Sequence, residues 1–80
     1  MDQLIFDKAE HLQLDVHSTT QLLKAFPHWV EVNDIISPYK WCERKLGALT
    51  YLGNDTWYRY RNTFMFVSVS HAIEFKLLWV

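Results

Sequence analysis

The chain predicts a single small α+β domain over residues 1–80. It combines an antiparallel sheet containing a late hairpin with two to three helices packed on one face. Three observations lead there. Two runs rich in aromatic and β-branched residues, Thr56–Arg61 and Phe64–Val69, are separated only by Asn62–Thr63, which is a hairpin pattern. Ser37–Pro38 and Gly47 bracket a helix-forming stretch with start and stop signals. The composition is that of a folding chain: 50% hydrophobic, 21% charged, with two Gly and two Pro in 80 residues, which excludes disordered and collagen-like classes.

Met1–Phe6 reads as a short strand or irregular start. In His11–His17 the apolar Leu12, Leu14 and Val16 alternate with Gln13, Asp15 and His17, the period of a half-buried strand, although Asp7–Leu14 also fits a short helix. Ser18 and Gln21 form a capping-box pattern that opens a helix over Thr19–Phe26 and ends it before Pro27. Trp29–Val32 is a compact strand closed by Asn33–Asp34. Ser37 as N-cap and Pro38 at the first helical position start a helix over Tyr39–Leu46. Arg44 and Lys45 suit the negative end of its dipole, and Gly47 stops it. Ala48–Leu52 reads as a short strand before the turn cluster Gly53–Asp55. After the hairpin, Ser70 caps a helix over His71–Trp79. Its stripe is Ala72, Phe75, Leu78 and Trp79, broadened by Ile73 and Leu77.

Charge and motif content narrow the function classes. Eight Lys and Arg against nine Asp and Glu give a formal charge of −1, which argues against both a globally basic nucleic-acid binder and an acidic DNA mimic. One cysteine, Cys42, excludes a disulfide scaffold and a multi-cysteine metal site. The histidines His11, His17, His28 and His71 lack zinc-ligand spacing, so neither a metal nor another cofactor is expected. Cys42 sits mid-helix, where a thiol is a small core residue rather than a nucleophile. No nucleophile elbow, phosphate loop or dinucleotide fingerprint is present, and no catalytic residue is expected. No apolar run is long enough to span a bilayer, and Met1–Gln3 lacks the opening of a signal peptide. The expectation is a cytoplasmic protein.

Thirteen of the eighty residues are Phe, Trp or Tyr, which suggests that some rings line a contact surface. With a loop at Asn62–Thr63, Arg61 faces Phe64, Arg59 faces Phe66 and Trp57 faces Ser68, all on one side of the hairpin. Tyr58, Tyr60, Met65, Val67 and Val69 take the other side. If the Tyr/Met/Val side is the core, then Trp57, Arg59, Arg61, Phe64 and Phe66 form an exposed Arg–aromatic patch suited to a protein partner or to stacking on single-stranded bases. If Trp57, Phe64 and Phe66 are the core, the arginines instead reach past its edge. Two copies could also pair, through the hairpin edge left by the charge-free run Phe64–Val69 or through the C-terminal helix.

Two resemblances follow from these residues. Phe64–Val69 resembles the RNP1 strand of RNA-recognition domains, with Ser70–Leu78 in the place of their second helix. Thr63 and Met65 stand where that family has glycine or alanine, and Val69 where it has an aromatic. This resemblance implies single-stranded nucleic-acid binding through the hairpin face. A longer pattern, Trp41–Cys42, Gly47, Trp57, Phe64-x-Phe66 and Ala72-x-x-Phe75-Lys76-Leu77-x-Trp79, resembles small accessory proteins of tailed bacteriophages over about residues 39–80. It implies a non-enzymatic protein acting in the host bacterial cytoplasm by binding and modulating a host or viral protein, inhibition of a defence system being one version.

Overall fold

The computed structural model describes residues 3–49 and 56–80. The first element is a helix, α1 (Gln3–Leu12), and not a strand. It closes with Gln13 in the left-handed region at φ 57, which lets Gln13 N–H donate to Glu10 O (3.1 Å) and Leu14 N–H to Ala9 O (3.0 Å). That paired closure is a Schellman motif. The alternation of Leu12, Leu14 and Val16 therefore spans a helix end, a connector and the next helix start, and carries no strand. Helix α2 (Val16–Ala25) begins three residues before the expected Thr19. Its N-cap is Asp15, whose carboxylate accepts the Ser18 N–H at 2.6 Å, so Ser18 is the third helical residue and not the cap.

Strand β1 (His28–Glu31) follows, then helix α3 (Ile36–Leu46). Asp34 Oδ1 accepts the Ile36 N–H at 3.2 Å, starting α3 ahead of Ser37. Pro38 falls in the first turn, where its missing N–H costs nothing. Gly47 ends α3 at φ 99, a conformation that favours glycine, and donates to Glu43 O at 3.1 Å. Ala48 and Leu49 are not in a strand. The rest of the expected Ala48–Leu52 strand and the Gly53–Asp55 turn lie outside the described residues.

The hairpin consists of β2 (Trp57–Tyr60) and β3 (Thr63–Phe66), joined by Arg61–Asn62. Arg61 sits at φ 56, the positive-φ first position of a tight hairpin turn. The loop is thus one residue earlier than expected. Arg59 pairs with Phe64 and Trp57 with Phe66, a partner shift of two that leaves every side chain on its expected side. The final helix is α4 (Val69–Trp79), which starts before the expected cap Ser70.

The strands form one antiparallel sheet in the order β1–β3–β2. The α+β class and the late hairpin hold, but the helices cover both faces of the sheet rather than one. Val30, Trp57, Phe64 and Phe66 pack with Cys42 of α3 and with Ala72 and Phe75 of α4. On the opposite face Lys8 of α1 lies over the Trp29 ring at 4.5 Å, and Phe26 after α2 stacks on Tyr58 at 6.0 Å. All four residues of β3 are buried, as a central strand between two helical layers requires.

Candidate protein-interaction surface

The five residues expected to form a contact patch are placed in two different environments, neither of them an exposed patch. Trp57, Phe64 and Phe66 are fully buried. Trp57 stacks on Phe64 at 6.2 Å, meets Tyr39 edge-on at 5.4 Å, and donates its indole N–H to Gly47 O at 2.8 Å. Phe75 of α4 lies 4.8 Å from Phe64 and 5.1 Å from Phe66. The correction has a plain physical cause. The face opposite these rings carries Met65, Tyr58 and Tyr60 under α1 and α2, so neither side of the hairpin is left open to a partner. The pattern of alternation shows which residues share a face, but not how many faces are covered.

The two arginines are held by the protein itself. Arg59 is half-buried, with its guanidinium 5.4 Å from the Tyr39 ring and donating to Arg61 O at 2.6 Å. Arg61 donates to Gln13 Oε1 at 2.8 Å and lies 5.9 Å from the Tyr60 ring. Gln13 and Arg61 are the two non-glycine residues at positive φ among the described residues. Their side-chain bond ties the end of α1 to the hairpin turn.

The chemistry-bearing side chains are dispersed. His11 Nε2 is 3.4 Å from Glu31 Oε2, and His17 Nε2 is 3.2 Å from Gln21 Nε2. Among the described residues no three His, Cys, Asp or Glu side chains come together as a metal site. Cys42 is enclosed between α3 and the sheet, and burial pushes its thiol up to about 12, so it is neutral near pH 7. A cavity of about 210 Å3 between α1 and the sheet is lined by Asp7, Lys8, His11, Trp29, Glu31 and Thr63, where His11 meets Glu31, Lys8 lies over Trp29 and Asp7 accepts from Gln3.

Single apolar side chains are exposed on α1 (Leu4, Phe6) and α3 (Ile36), but the largest group of them lies on α4. Ala72 and Phe75 are buried on its inner side and Trp79 is half-buried, while Lys45 of α3 holds Glu74 at 2.6 Å. On the outer side Val69, Ile73, Leu77 and Val80 recur at helical spacing and are all exposed, Leu77 by 80%. Leu78 is exposed beside them. Aliphatic residues on the outer side of a surface helix, where polar ones ordinarily stand, exceed what its core contact needs. No helix among the described residues is long and apolar enough to cross a membrane. The signal was present in the sequence, where Ile73 and Leu77 broadened the α4 stripe beyond what one core-facing side needs.

No protein-family model, curated protein or solved structure matches the chain.

Proposed function

We propose that this chain is a non-enzymatic accessory protein of the tailed-phage type. It binds a host or viral protein in the bacterial cytoplasm and modulates or inhibits it, and a bacterial defence component is one such target. The observation that carries the reading is the aliphatic outer side of α4, where Val69, Ile73, Leu77 and Val80 face solvent while the same helix anchors the core through Phe75. Large apolar side chains gathered on one exposed helix side mark a protein contact more often than a scatter of single residues does. The resemblance of residues 39–80 to phage accessory proteins supports the setting.

The test is capture from bacterial lysate on the tagged protein, with and without nuclease, alongside Leu77→Asp. One stoichiometric protein that survives nuclease and disappears with Leu77→Asp is the expected result. Capture that vanishes with nuclease would transfer the case to nucleic acid. Capture that is indifferent to Leu77→Asp would remove α4 as the surface.

A further inference from the structure

We propose that the open edge of β1 captures an extended acidic and apolar peptide segment of the partner as a fourth strand. The proposal rests on the protein-binding reading and specifies the kind of segment recognised.

In the order β1–β3–β2, strand β1 has a neighbour on one side only among the described residues. The ladder to β3 continues past the strand through Val32 N–H to Asn62 O at 3.0 Å, in register with the pairs Val30–Phe64 and His28–Phe66. Bonded and non-bonded pairs alternate in an antiparallel ladder. The backbone groups of His28 and Val30 therefore serve β3, and those of Trp29 and Glu31 point outward from the sheet. On β3 the same alternation turns Thr63 and Met65 toward β2, in agreement with the bond from Val67 N–H to Thr56 O at 3.1 Å.

Edges of this kind are ordinarily covered, charged or bulged. Here α1 and α4 stand on opposite faces of the sheet and leave a groove of about 400 Å3 along the edge. Its floor is His28, Trp29 and Val30, which follow Pro27. Leu4 and Leu23 form one wall, and Ala72 and Ile73 form the other. An added strand sends alternate side chains to opposite faces, so successive residues of the occupant would meet the α1–α2 wall and the α4 wall in turn. Four residues of β1 span about 13 Å, which sets the length of the captured segment.

The groove also has a sign. Lys8 and Lys76 line it with His28, and among the described residues no Asp or Glu does. A segment carrying carboxylates complements it. Two copies of this chain meeting edge to edge would set lysine against lysine, which disfavours self-pairing.

The test selects binders from a displayed library of short random peptides and measures their affinity by fluorescence polarisation. Expected are sequences alternating apolar residues with Asp or Glu, and slowed hydrogen exchange at the Trp29 and Glu31 amides on binding. Glu31→Pro removes an outward N–H while sparing the ladder to β3, and should weaken binding by about tenfold or more, whereas Glu31→Ala should not. Lys76→Glu, which leaves the backbone intact, should weaken binding even if the proline variant unfolds. Binders indifferent to both Glu31→Pro and Lys76→Glu, exchange at Trp29 and Glu31 unchanged by peptide, or a library that enriches nothing would each overturn strand addition. Peptides lost with Leu77→Asp but kept with Glu31→Pro would overturn the groove and leave the α4 reading standing. Lysate capture that fails while the peptides behave as expected would overturn the phage accessory reading alone.

Discussion

Leu77 and Phe75 are two positions apart on α4 and face opposite ways, so truncating each separates folding from binding. Leu77 is 80% exposed, so folding uses about a fifth of its apolar surface. Burial of a whole leucine side chain is worth about 1.5–3 kcal/mol, so Leu77→Ala should cost about 0.3–0.6 kcal/mol, partly offset by the better helix propensity of alanine. Phe75 is 0% exposed and packed between Phe64 and Phe66. Phe75→Ala should cost about 3–5 kcal/mol. An 80-residue domain has about 4–12 kcal/mol in total, so that variant should lose at least about a quarter of its stability, and all of it at the low end of that range.

Binding should invert the order of importance. A partner that covers Leu77 would bury the four-fifths left exposed, worth about 1.2–2.4 kcal/mol, or about a tenfold to fiftyfold loss of affinity for Leu77→Ala. The assay is urea unfolding followed by tryptophan fluorescence, since Trp57 is in the core, together with titration of the captured partner. A urea midpoint for Leu77→Ala displaced as far as that of a core truncation would show that the outer side of α4 is packed. Unchanged affinity in a stable Leu77→Ala protein would show that the partner does not use it. Either result refutes the reasoning.

Arg59→Ala with Arg61→Ala should lower the thermal midpoint, because it removes the bonds to Arg61 O and Gln13 Oε1, and should leave partner capture unchanged; loss of capture with full stability would restore the Arg–aromatic surface. The Ser18 backbone N–H, then the Ser18 hydroxyl, and His17 more weakly hold the Asp15 carboxyl below its ordinary 3.8, so this cap stabilises the folded state fully above that value and is lost as pH falls through the lower folded value. Asp15→Ala should therefore melt lower than the parent at neutral pH, and the gap between the two melting curves should close in acid; a gap independent of pH would refute the cap. With its thiol raised to about 12, Cys42 should resist a thiol reagent in the native protein near neutral pH and react promptly in urea, and rapid native labelling would contradict its burial. The raised value means that this group favours the folded state below the ordinary thiol range near 9.0 and loses that contribution as pH rises toward the folded value.

Much of the fold could be read from punctuation in the sequence. Gly47, Pro38, Pro27 and the short hairpin connection each impose a local backbone geometry whatever surrounds them, and the elements they delimit are present. The first sixteen residues were harder to read because Leu12, Leu14 and Val16 satisfy a two-residue period by accident. The residue that breaks the pattern, Gln13 at φ 57, is not a glycine and gives no warning. The expected contact site failed for a different reason. Trp57, Phe64 and Phe66 do share a face with Arg59, as the alternation says, but burial depends on what the rest of the chain places against that face. Only tertiary packing shows that both faces are taken. The exposed stripe of α4 was visible as an excess of aliphatics, yet with one helical layer assumed, all of them had a core to enter.

The three-layer arrangement locates the exposed apolar surface of this chain. A sheet with a buried central strand between two helical layers gives each helix one inner side to bury and one outer side to show to water. Helix α2 turns out His17, Gln21 and Lys24, α3 turns out Ile36 beside Lys40 and Arg44, and α1 turns out Leu4 and Phe6 beside Glu10. Helix α4 obeys the rule on its inner side, with Ala72 and Phe75, and breaks it on the outer side with Ile73 and Leu77. The groove beside β1 begins at that same helix, because Ile73 and Lys76 form part of its wall. Ile73 lines that groove and is also exposed on the aliphatic side of α4, so a segment on the strand edge and a partner on the helix would meet at the same residue.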